Sequence, residues 1–97
     1  MRLRYTPDAA AELDAILTYV ASLSPQGARR VQRRIQAAIG LLLLHPLSGH
    51  ATSLRPMRRI VATPYPYLIF YEATEDEVVI LGNRHAARDP ASMPGTS

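Results

Sequence analysis

Between Met57 and Pro90 the chain carries three short apolar runs, broken first by Thr63-Pro64-Tyr65-Pro66 and then by Thr74-Glu75-Asp76. Runs of strand length separated by such punctuation predict an antiparallel meander. In the second run Tyr67, Ile69 and Tyr71 point one way and Leu68 and Phe70 the other, and in the third Val78 and Ile80 oppose Val79 and Leu81, because side chains alternate across a strand. An antiparallel sheet with one wet face alternates apolar with polar residues instead. These strands therefore need cover on both faces, supplied by the chain itself or by a partner. The pattern alone does not assign which of the two sets faces the rest of the chain.

Upstream the period changes. Arg2-Leu3-Arg4-Tyr5 alternates and predicts a short edge strand, ended by Thr6-Pro7. Threonine as N-cap, proline at the first helical position and Asp8 in the first turn predict a helix start. Ala9, Leu13, Ile16, Leu17 and Val20 fall on one stripe of that helix, which runs to about Ser22. Ser24-Pro25 repeats the start signal at once, so two helices form a hairpin joined by a tight connection. The second helix covers 25–44 and is about 30 Å long, with Ala28, Val31, Ile35, Ala38, Ile39 and Leu42 as its apolar stripe. Arg29, Arg30, Arg33 and Arg34 form a basic ridge beside it, read as a solvated face whose stems cover the core, with a partner-binding ridge as the alternative. The loop that follows holds His45 and His50, which lack a third ligand at metal-binding spacing and read as surface residues. The predicted fold is α+β, in the order β-α-α-β-β-β: an N-terminal strand and a helical hairpin packed on a small antiparallel sheet.

With 97 residues the chain is one domain, able to bury roughly 60–65% of its unfolded surface. Residues 1–90 form that domain, and 91–97, with no apolar period, are expected to be a disordered tail. The absence of cysteine excludes a disulfide framework and thiolate chemistry. The N-terminal Met-Arg-Leu-Arg-Tyr lacks the apolar core of a signal peptide, and the run from Ala37 to Leu44 is too short to span a bilayer, so the expected location is the cytoplasm. All eleven basic residues are arginine and the net charge is +3. Codon bias in a GC-rich genome is the first reading of that balance, and an acidic partner is the alternative.

The order of pieces, "TPDAAAELDAI", "SPQGARRVQRRI", "HPLSG", "MRRIV", "YPYLIFYE" and the closing "RHAARDP", resembles the RelE/ParE superfamily of bacterial toxins over about ninety residues. The closing His85-x-x-Arg88-Asp89 and the lack of a late tyrosine are similar to the ParE branch. That resemblance implies a toxin without enzymatic chemistry or cofactor, which poisons DNA gyrase by stabilising its cleaved DNA complex and is neutralised by a ParD-like antitoxin. The RelE branch implies ribosome-dependent mRNA cleavage instead.

Metal-free RNA cleavage needs a base, an acid and cations on the phosphate. The candidates here are Arg58, Arg84 and His85, but alternation along a strand sends Arg84 and His85 to opposite faces. Under the ParE reading no residue is catalytic, and Arg88 and Arg59 are the expected contacts with the target. The doubly apolar strands supply the antitoxin-binding candidates: Tyr67, Ile69, Tyr71, Val79 and Leu81. The competing expectation is that the loop over 45–56 closes that face within the chain.

Overall fold

Thr6 and Ser24 set the helical half of the molecule. The computed structural model describes residues 1–86, with strands β1 (Arg2–Tyr5), β2 (His50–Ala51), β3 (Arg58–Val61), β4 (Tyr67–Ala73) and β5 (Glu77–His85) and helices α1 (Pro7–Leu23) and α2 (Pro25–Leu44). The expected tail lies outside the described residues. Thr6 Oγ1 accepts the Ala9 N–H at 3.1 Å, and Pro7 follows it at the first helical position. Ser24 serves both helices. Its N–H donates to Val20 O at 2.8 Å and closes α1, while its Oγ accepts the Gly27 N–H at 3.0 Å and opens α2. One extended residue thus makes the whole connection, and each such cap stabilises its helix by about 1 kcal/mol.

The strands form one sheet in the order β1-β5-β4-β3-β2. The meander β3-β4-β5 is antiparallel as expected, and β1 is an edge strand. The sheet as a whole is mixed, because β1 runs parallel to β5 with Arg2 opposite Glu77 and Tyr5 opposite Ile80. A parallel pair needs a long crossover, and the helical hairpin with the meander behind it provides one. The two-residue β2 at the other edge was not expected; it pairs only with Arg58 and Arg59.

A bulge between Phe70 and Tyr71 sets Phe70 opposite Gly82 and Tyr71 opposite Ile80. The extra residue, Leu81, keeps Ile80 and Asn83 both on the helix side. On that side Tyr67, Ile69, Tyr71, Val78 and Ile80 pack with Ala9, Val31, Ile35, Ala38, Ile39 and Leu42. On the other, Met57, Leu68 and Phe70 form a smaller buried cluster, flanked by the half-buried Leu81 and Ala86. Met57 reaches Phe70 from the end of a tight turn, in which Thr52 N–H and Oγ1 both donate to Met57 O and Met57 N–H donates to Leu54 O. Both faces of the central strands are thereby buried, as their sequence demands.

Candidate functional site

Tyr71 fixes the loop between α2 and β3. Its side chain is fully buried, and its hydroxyl donates to Pro46 O at 2.9 Å and accepts the Gly49 N–H at 2.9 Å. Arg58, opposite Tyr71 in the register, donates through Nη1 to Gly49 O at 2.8 Å and Leu47 O at 3.3 Å. Burial raises the Tyr71 hydroxyl pKa, partly offset by the Gly49 N–H and the Arg58 charge. A side chain at position 49 has no room: an added Cβ would run into the Tyr71 ring at 2.7 Å and Arg59 O at 2.9 Å.

This arrangement corrects the expectation for Tyr67, Ile69 and Tyr71. They face the helices and are 8%, 0% and 0% exposed, so they are the floor of the core rather than an open groove. Val79 and Leu81 alternate to the opposite face, and the five residues cannot line one surface. The reason is the helical stripe: two helices cover one face of a small sheet, and the side that took Tyr71 could also satisfy its hydroxyl.

The three ribonuclease candidates are likewise dispersed. Arg58 is on the helix side and bonded to the loop. Arg84 Nε donates to Glu12 Oε2 at 2.8 Å, while Glu12 Oε1 accepts the Asn83 N–H at 3.1 Å, so one carboxylate from α1 caps β5 where β1 has ended. His85 meets Tyr67 edge to face, with ring centroids 5.4 Å apart. In the register Arg84 stands opposite Leu68 and His85 opposite Tyr67, while Arg58 stands opposite Tyr71 on the far side of β4, and each of the three has a different described partner. Of the target-binding candidates, Arg59 is exposed on the face away from the helices, opposite Phe70. Arg88 lies outside the described residues.

Sequence reasoning missed one apolar surface that is open. Leu41, Leu44, Leu47 and Val61 are large apolar side chains left exposed at the end of α2, in the loop after it and on β3. Arg34, Ala38, Leu41, Leu42, Ser48, Ile60 and Val61 line a shallow groove there. Because β2 begins only at His50, opposite Arg59, Ile60 and Val61 have no strand neighbour on that side. The signal was in the run Leu41 to Leu44: four consecutive leucines on a helix span about 300° and cannot all turn inward.

Several known proteins resemble this chain in sequence or in fold. Residues 3–90 match the family model described as ParE toxin of type II toxin-antitoxin system, parDE. The chain is 36% identical to Y4kP of Sinorhizobium fredii over 88% of both chains. It is also 36% identical to Toxin RelE2 of Caulobacter vibrioides, over 87% of this chain and 93% of that one. A solved structure entitled "Chromosomal ParDE TA system from P. aeruginosa" superposes with a TM-score of 0.73 at 25% identity, covering 88% of this chain and 95% of its own. With the helical hairpin, the sheet order and a family match running through both, the chain belongs to the ParE toxin family of type II toxin-antitoxin systems.

Proposed function

We propose that this toxin acts by binding DNA gyrase and stabilising its cleaved DNA complex, and that a ParD-like antitoxin holds it inactive. The observation that carries the reading is the ParE family match over residues 3–90, taken with the dispersal of Arg58, Arg84 and His85. A site that must place a base, an acid and a cation around one phosphate needs its groups within hydrogen-bond reach of it. Each of these three is engaged with a different partner, which favours the reading without a catalytic site. Arg59, exposed and outside the described salt bridges, remains the candidate contact with gyrase.

The antitoxin site belongs, in this reading, to the leucine-rimmed groove and the open end of β3. An added strand would find free backbone beside Ile60 and Val61, and Leu41 and Val61 would bury their exposed area against its apolar side chains. A ribosome-dependent endoribonuclease is the second reading, favoured by the 36% identity to Toxin RelE2. Primer extension on mRNA from translating ribosomes, run beside a gyrase reaction on supercoiled DNA, separates the two. Intact mRNA with linear DNA trapped on gyrase supports the first reading; mRNA cut only on ribosomes overturns it.

A further inference from the structure

Charge is divided unevenly along this chain. From Ala15 to Tyr71 there is no aspartate or glutamate, yet the span holds Arg29, Arg30, Arg33, Arg34, Arg55, Arg58 and Arg59. The fold keeps that division in space. The span builds the second half of α1, all of α2, β2 and β3 and most of β4, while Glu12 and Glu77 pair with Arg84 and Arg4 around β5 and the β1 edge. On α2, Arg29, Arg30 and Arg33 are exposed. Arg34 donates through Nε to Thr63 O and so ties the β3–β4 turn against the helix, leaving a shallow open depression lined by Arg30, Arg33, Arg34, Ala37, Pro64 and Tyr65. The exposed neighbours along the helix are Gln26, Gln32 and Gln36, which also offer donors.

We infer that this depression and the ridge beside it dock on the phosphate backbone of duplex DNA. Successive guanidinium forks with no competing carboxylate suit a polyanion whose charges are closely and regularly spaced. A single-stranded ligand would need aromatic platforms for its bases, and Tyr65, half-buried at the rim, is the lone ring in the depression. An acidic peptide would carry apolar residues, and these belong on the leucine rim farther along α2 rather than on a surface of arginine, glutamine and proline. The docking is on backbone, so it carries no base specificity. It stands independently of gyrase as the target, although it would lend the toxin a grip on the DNA that a topoisomerase holds.

The test is fluorescence anisotropy of the purified chain with a labelled 20-base-pair duplex of arbitrary sequence, titrated across a series of salt concentrations. The double variant Arg30→Gln/Arg33→Gln should weaken binding about tenfold and lower the magnitude of the salt slope by about 2, near 0.9 for each phosphate that is no longer neutralised. The matched variant Arg2→Gln/Arg4→Gln removes the same charge from the β1 edge and should change affinity less than about twofold. Circular dichroism melting of each variant verifies that the exposed substitutions leave the fold intact. The inference fails if the duplex does not bind, if the two double variants weaken it equally, if single-stranded DNA of the same length binds tighter, or if a poly-glutamate peptide binds where the duplex does not.

Discussion

Tyr71 shows how one residue can be right in kind and wrong in place. From sequence it is an aromatic on a doubly apolar strand, suited to a partner because its ring buries area while its hydroxyl stays wet. In the fold the hydroxyl is satisfied indoors, by Pro46 O and the Gly49 N–H, and the ring supports the loop instead. Nothing local in the sequence announces this, because the partners are more than twenty residues away. Two predictions belong at this scale. Gly49→Ala forces its Cβ into the Tyr71 ring and should destabilise the protein by about 1–3 kcal/mol, the usual cost of overpacking, measured by urea unfolding. The second concerns pH. Burial raises Tyr71 and Tyr5 above the ordinary 10.0, so the folded state holds these protons more tightly than the unfolded chain. Their contribution is complete below about pH 10 and is lost as pH rises through the folded-state values. Unfolding free energy should therefore fall above about pH 10, and Tyr71→Phe should make that fall shallower while Tyr5 retains part of it.

Among the elements, the helices were the most legible. Thr6-Pro7 and Ser24-Pro25 are cap-plus-proline signals that act within one turn, and the predicted apolar stripes of α1 and α2 are the ones that pack on the core. Sheet edges depend on distant neighbours and were read less well. That β1 runs parallel to β5, and that Glu12 takes over as acceptor where β1 stops, are consequences of topology that no local pattern encodes. Glu12→Ala leaves the Asn83 N–H without its acceptor and Arg84 without its carboxylate. It should cost about 1–3 kcal/mol in thermal or urea unfolding, with Glu12→Gln costing less because its amide oxygen still accepts. At the opposite edge the expected effect is on partners. Val61→Asp or Leu41→Asp places a carboxylate on an exposed apolar rim, so the fold should survive while capture of an antitoxin in a pull-down falls at least tenfold. Unchanged capture by both variants would move the docking site elsewhere. The same substitution at Ile69, wholly buried, should abolish folding instead.

At the scale of the molecule, the sequence demanded cover for both faces of its central strands. The structure meets that demand internally: the helix hairpin covers one face, and the turn ending in Met57 contributes to the other. Apolar side chains remain exposed at several places, Leu3, Tyr19, Leu23 and Leu54 among them, and one group gathers at the rim, in the leucines at the end of α2 and on the outer edge of β3. Among the described residues no helix is long and apolar enough to cross a membrane. The apolar rim and the arginines of the acid-free stretch 15–71 are the surfaces on which the proposed contacts with macromolecules rest. The most direct measurement is the fraction of supercoiled plasmid that purified gyrase converts to protein-linked linear DNA as the toxin is titrated in. The account predicts that this fraction rises with toxin, is reduced severalfold by Arg59→Gln, and disappears when antitoxin is added first. No linear product at toxin concentrations well above that of gyrase would contradict it.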